Sequence, residues 1–318
     1  MSGFLRRTIS FFKVLVASTL LLSIFCSLQP APAQDALRDR LKKRFAQSGS
    51  SLNRNNSLGQ NSFESVQIAG LNVAVWRPRQ VQGRVPLVVF SHGFHGRNTQ
   101  SISIMNALSD AGYLVMAPNH QDAMSNLVGM TKPDASFRDA ALWDDTTFHN
   151  RGQDIAKLLA GLKKDPVWGS QIDWSKVALA GHSLGGYTVL AVAGGWNSWK
   201  LLGIKAVLAL SPYCQPLSLK GELGKLGIPV MYQTGTRDVG VAPFLKGPNG
   251  AYSKTSAPAY LVEFDQCGHF AWSNFNRNSK EQNAINYYCV SFLDKYLKNK
   301  PQARPELRVP GVNSLQVK

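Results

Sequence analysis

From Phe63 onward, short apolar runs alternate with amphipathic stretches. "LNVAVWRP" (71–78) alternates apolar and polar side chains, as a strand with one covered face does. "VPLVVFSHG" (85–93) and "YLVMAPNH" (113–120) are nearly continuous apolar runs, which suits buried parallel strands. Between them "SISIMNALSDAG" (101–112) has helical spacing and stops at a glycine. "GQDIAKLLAGLKK" (152–164) predicts a helix, "KVALAG" (176–181) a strand and "GGYTVLAVAGG" (185–195) another helix. Three further strands are predicted at "IKAVLALSP" (204–212), "IPVMYQTG" (228–235) and "APAYLVEF" (257–264). A last helix near 280–298 places Ile285, Cys289, Phe292 and Tyr296 on one face. Residues 121–150 hold no clear period and read as an irregular insertion, too small for a large lid. The proline-bearing stretch 299–318 predicts a loose C-terminal tail. The alternation implies an α/β fold, with a mostly parallel central sheet and helices on both faces. In such sheets, sites lie at the carboxyl ends of the strands.

The first 60 residues break this pattern. Arg6, Arg7 and Lys13 precede the apolar "VLVASTLLLSIFCSL", and Ala31-Pro32-Ala33 follows, which predicts a signal peptide over 1–33. Residues 34–60 are basic, then Ser/Asn/Gly-rich, and read as a flexible linker. One catalytic domain is therefore expected over 61–298, in a secreted or periplasmic protein. Without the leader, 32 of the 35 basic residues face 19 acidic ones, a balance of +13. The basic residues do not cluster with aromatic ones, so nucleic acid is not an expected partner. Adhesion to anionic surfaces is expected instead, from a monomer. Cys214 and Cys267 are both predicted at the carboxyl edge of the sheet, where a disulfide would steady the loop between them and the next histidine. Cys289 reads as a buried free thiol.

The chemistry centres on "GHSLGG" (181–186), a glycine-flanked serine between a predicted strand and a predicted helix. This is the nucleophile-elbow pattern. Glycine at 181 and 185 lets strand and helix close upon a sharp turn, and Ser183 projects from it. Its base must follow in the chain, and of six histidines only His269 does. Four acids lie between them: Glu222, Asp238, Glu263 and Asp265. Asp238 stands on a loop at the carboxyl end of a strand, where an orienting carboxylate belongs. The oxyanion donors are expected to be the backbone N–H groups of Leu184 and Phe94, the latter just after "VVFSHG". His95, Trp143, His182, Phe270 and Trp272 are the expected substrate-binding residues. His92 and His95 have no matching cysteine or carboxylate cluster, so no metal site and no cofactor is expected.

"VVFSHGF", "LSDAGYLVMAPNH", "RGQDIAKLLAGL", "GHSLGGYTVL", "TGTRD" and "GHFAW" occur in that order. Together they resemble the α/β-hydrolase superfamily over roughly 65–298. They are most similar to the dienelactone-hydrolase-like and platelet-activating-factor-acetylhydrolase-like esterases. Chlorophyllases and PET-degrading cutinase-like enzymes are similar in the same segments. The resemblance implies Ser183 as nucleophile, Asp238 as orienting acid and His269 as base. Dienelactone hydrolases proper use a cysteine nucleophile, so Ser183 argues against lactone chemistry of that kind. The expected function is a secreted serine hydrolase acting on carboxylic esters of short to medium acyl length. A polyester or lipid-ester hydrolase is the alternative within enzymes, with a small-molecule or polymeric ester as substrate. A non-catalytic binding protein on a hydrolase scaffold is the alternative of another class.

Overall fold

The computed structural model describes residues 63–124 and 133–318. The expected signal peptide and linker lie outside the described residues, as does part of the 121–150 insertion.

Among the described residues, nine strands form one sheet: β1 (Glu64–Ile68), β2 (Leu71–Trp76), β3 (Val85–Ser91), β4 (Leu114–Pro118), β5 (Ile172–His182), β6 (Ile204–Leu210), β7 (Val230–Gly235), β8 (Ala259–Phe264) and β9 (Val312–Val317). Their spatial order is β1-β2-β4-β3-β5-β6-β7-β8-β9. The six from β4 to β8 run parallel, while β1, β2 and β9 add antiparallel edges. This is the expected α/β fold. The chain steps from β3 outward to β4, then returns across β3 to β5. That reversal makes a topological switch point between β3 and β5, and in sheets of this kind ligands bind beyond the carboxyl ends of the strands at such a point.

Helices cover both faces, and alternation along β3 assigns the layers. Leu87 and Val89 face one core, shared with Ile155, Leu158 and Leu162 of α2 (His149–Lys164). Val88 and Phe90 face the other. There they meet Ile104, Met105 and Leu108 of α1 (Ile102–Asp110) and Ile285, Cys289 and Phe292 of the last helix, Ser279–Lys298. Full burial of each such aliphatic or phenyl side chain contributes about 1.5–3 kcal/mol. Tyr296, expected on the same stripe, is only partly buried and bonds Tyr260 through its hydroxyl. The last helix starts sharply because the Asn278 side chain accepts from the N–H groups of Lys280 and Glu281. Short helices that the sequence pattern does not reveal are α3 (Pro166–Gln171), α5 (Gln215–Lys220), α6 (Ala242–Lys246) and α7 (Ala251–Lys254). No helix among the described residues is long and apolar enough to cross a membrane.

Two expectations are corrected. The tail is not loose: Val312–Val317 pairs antiparallel with β8. Glu263 of β8 is almost fully buried, and its carboxylate accepts from Asn313 Nδ2 (2.7 Å) and Ser314 Oγ (3.2 Å) while also pairing with Lys246. A polar anchor, not an apolar rhythm, holds this strand. The Cys214–Cys267 disulfide does not form, and Cys214, Cys267 and Cys289 are all buried free thiols. Cys214 packs in the α2-side core and Cys267 in the opposite one, so the sheet separates them.

Candidate active site

The β5–helix junction is built by steric exclusion. β5 ends at His182, and α4 (Leu184–Leu190) begins two residues later. Ser183 between them has φ 58° and ψ −119°, outside the ordinary regions for a residue with a Cβ. Such strain costs about 1–3 kcal/mol and persists where the surroundings dictate it. The surroundings are Gly181 and Gly185. A Cβ on Gly181 would fall 2.3 Å from the Gly185 carbonyl oxygen, and one on Gly185 would fall 2.0 Å from that of Ser91. The loop after β6 also clamps the turn: Ser183 N–H donates to Leu210 O and Tyr213 N–H to Ser183 O, each at 3.0 Å.

Ser183, His269 and Asp238, expected to act together, are brought together. His269 stands 2.9 Å from Ser183 Oγ through Nε2 and 3.2 Å from Asp238 Oδ1 through Nδ1. Asp238 follows β7 and His269 follows β8, so both reach the site from carboxyl ends of strands. The other acids point elsewhere. Glu263 holds the last strand, Asp265 accepts from Gln266, and Glu222 pairs with Lys225. A fourth group was not foreseen. Ser211, at the end of β6 with φ 44°, lies 2.8 Å from His269 Nδ1 and donates a short hydrogen bond to Asp238 Oδ2. Its oxygen therefore accepts from Nδ1–H, which leaves the Nε2 lone pair to accept from the Ser183 hydroxyl.

The loop after β3 lies against the serine. A Cβ on Gly93 would come within 3.4 Å of Ser183 Cβ, which sets the Gly93 backbone close against the serine. A buried ion pair holds this loop from inside. Arg151, at the start of α2, donates from Nη1 to both oxygens of Asp122 (2.6 and 2.7 Å) and from Nη2 to the His92 carbonyl. Asp122 Oδ2 in turn accepts from His95 N–H at 3.2 Å. Burial opposes the Asp122 carboxylate, but the Arg151 charge overrides it and holds its pKa at about 2. His92 donates from Nδ1 to Gly93 O (2.7 Å) and accepts His120 N–H on Nε2 (3.0 Å). Burial, then Arg151, keeps His92 neutral far below the usual imidazole range, and the same two causes act on His120. Asp154 accepts from His120 at 2.9 Å, and its pKa is raised by burial to about 6.

The expected substrate-binding set divides. Phe270 is 39% exposed, beside His269 and edge-on to the exposed Phe275. His95 stacks on Phe94, with ring centroids 3.8 Å apart. Trp143, Trp272 and His182 are buried. Trp143 packs among Phe137, Phe148, Tyr187 and Tyr213. Trp272 donates to Gln233 Oε1 at 2.8 Å. His182 bonds Gln100 and the His269 carbonyl. Among the described residues, no group of three His, Cys, Asp or Glu side chains is placed to hold a metal.

A family model described as Chlorophyllase matches residues 47–217, just over half of the chain. The chain belongs to the chlorophyllase family. It is thereby an ester hydrolase of the α/β-hydrolase type. The match includes the elbow and the loop after β3 but stops before Asp238 and His269, so those two rest on geometry. A comparison with curated proteins finds no match. Ser211, Gln100, Arg151 and Asp122 escaped sequence reasoning. A serine at a strand end and a glutamine in a loop carry no spacing signal. Arg151 had one faint signal, a charged residue at the start of a helix beneath the predicted edge.

Proposed function

We propose that this member of the chlorophyllase family is a serine esterase that cleaves carboxylic esters through an acyl-enzyme. One observation carries the reading: the unbroken file Ser183 Oγ–His269 Nε2, His269 Nδ1–Asp238 at 2.9 and 3.2 Å, set at a strained elbow. Ser183 Oγ attacks the ester carbonyl carbon as its proton passes to His269 Nε2. The carbonyl π electrons move to oxygen, where the N–H groups of Phe94 and Leu184 receive the charge at the start of α4. The C–O bond to the alcohol then breaks, and His269 gives its proton to the departing oxygen. Water attacks the acyl carbon as His269 takes its proton. The bond to Oγ breaks, Ser183 recovers a proton, and the acid leaves. Asp238 keeps Nδ1–H directed away from the reaction and stabilises the imidazolium.

The preferred substrate in this reading is an ester of short to medium acyl length. The exposed Phe270 and Phe275 offer a shallow apolar rim, on which a long chain would leave much of its surface wet. The reading includes export through the N-terminal leader and a +13 surface that adheres to anionic envelopes, less so as salt rises. Two measurements test it. Wild-type protein should take a fluorophosphonate label on Ser183, while Ser183→Ala and His269→Ala should each lose roughly 10³-fold or more in kcat. Absence of label on folded wild-type protein overturns the esterase and favours a binding role. Hydrolysis of p-nitrophenyl esters should be fastest at short to medium chains, without a jump at the micelle threshold. A maximum at long chains instead identifies a lipase.

A further inference from the structure

A single file of hydrogen bonds joins the loop after β3 to the loop bearing His269. Gly93 N–H donates to Gln100 Oε1 (3.0 Å), Gln100 Nε2 donates to His182 Nδ1 (3.0 Å), and His182 Nε2–H donates to the His269 carbonyl (2.8 Å). The file has only one polarity. A backbone N–H can only donate, so Gly93 fixes which way the Gln100 amide faces. The amide then offers N–H to Nδ1, which puts the ring hydrogen on Nε2, opposite a carbonyl that can only accept. Burial, then the charge of His269, pushes the His182 pKa down to about 3. The imidazole therefore stays neutral while its neighbour takes up a proton. Gln100 is also fixed at its backbone, whose carbonyl accepts from Asn274 N–H at 2.7 Å. Next to it, Ser101 Oγ donates to Trp272 O at 2.7 Å.

We propose that Gln100 and His182 are positioning residues that set the separation between the oxyanion donor at Phe94 and the base His269. This rests on the esterase reading. The two loops must engage the reacting atoms together only when the proton moves and the oxyanion forms. Their spacing therefore bears on the transition state and little on the bound ester. The file also explains why His182, next to the nucleophile, is buried rather than open to substrate.

The test uses the full chain with Gln100→Glu, Gln100→Leu, His182→Leu and the Gln100→Leu/His182→Leu double variant, each checked for folding by circular dichroism. Gln100→Glu keeps the shape and the acceptor for Gly93 but loses the donor to Nδ1. Each single variant should lower kcat on p-nitrophenyl butyrate roughly 10- to 100-fold. KM should stay within about twofold, as for an interaction made only in the transition state. Affinity for a trifluoromethyl ketone, which mimics the tetrahedral adduct, should fall by the same factor as kcat/KM. The double variant should be no worse than the poorer single, because both cut one file. If His182→Leu does not fold, the isosteric Gln100→Glu decides alone. An unchanged kcat in Gln100→Glu, a raised KM with kcat intact, or losses that multiply in the double overturns the proposal. A wild-type protein that takes no label on Ser183 overturns the esterase reading instead, and the positioning role with it.

Discussion

Ser211 places a hydroxyl between two groups usually drawn as direct partners. Its oxygen is 2.8 Å from His269 Nδ1, nearer than Asp238 Oδ1 at 3.2 Å. Ser211→Ala removes one acceptor for the imidazole and one donor to the carboxylate. A net hydrogen bond of about 1–1.5 kcal/mol corresponds to roughly a tenfold fall in kcat. Asp238→Asn should cost far more, because it removes the charge that stabilises the imidazolium. Steady-state kinetics of both variants check the order, and a Ser211→Ala loss as large as that of Asp238→Asn would make the serine the principal partner. The same scale shows what sequence reveals. Ser183, Gly181 and Gly185 were legible because the turn admits almost no other residues. Asp238 was legible through chain order and its place after a strand. Ser211 was not, since its role depends on β6 lying beside β7, a neighbour relation that only the assembled sheet supplies. For Trp143 and Trp272 the sequence does not tell wall from core, because a large aromatic near a site motif reads alike in either place.

Among the elements, the edge strand β9 departs most from expectation. Its sequence "VNSLQV" lacks clear alternation, and only Val312 is buried. Pairing with β8 and the polar grip of Glu263 supply what apolar burial does not. Deleting residues 312–318 leaves that carboxylate buried with Lys246 as its remaining partner and bares the β8 edge. A loss of about 3 kcal/mol, from the unpaired strand and the half-satisfied carboxylate, lowers Tm by roughly 6–12 °C in a chain of this size. Since His269 follows β8 on its own loop, kcat should change little. A thermal melt beside an esterase assay checks both, and an unchanged Tm would show that β9 contributes nothing to the fold. The parallel strands were legible because burial on both faces forces continuous apolar runs. An edge strand meets no such demand.

The whole molecule carries an acid liability in its buried imidazoles. His92, His120 and His182 are all held neutral below the ordinary 6.5, chiefly by burial. Unfolding frees each to bind a proton at that value, so their contribution is complete above about pH 6.5 and is lost as pH falls. Asp154 runs the other way. Its folded pKa of about 6 exceeds the ordinary aspartate value of 3.8, so the folded chain holds a proton the unfolded chain releases. Three imidazoles against one carboxyl leave a net uptake of protons on unfolding, so stability falls as the pH drops below about 6.5. Melts between pH 7 and pH 5 should show Tm falling steadily, and a flat Tm would mean these histidines are charged in the folded protein. The two separately sealed cores have a different consequence. With one thiol on each side of the sheet and a third inside the last helix, the described fold has no covalent bond left to make after the chain has collapsed. Folding of the described residues leaves no disulfide for an oxidant or an isomerase to sort. The same structure should arise in a reducing cytoplasm and in an oxidising envelope, with melts that coincide whether or not dithiothreitol is present.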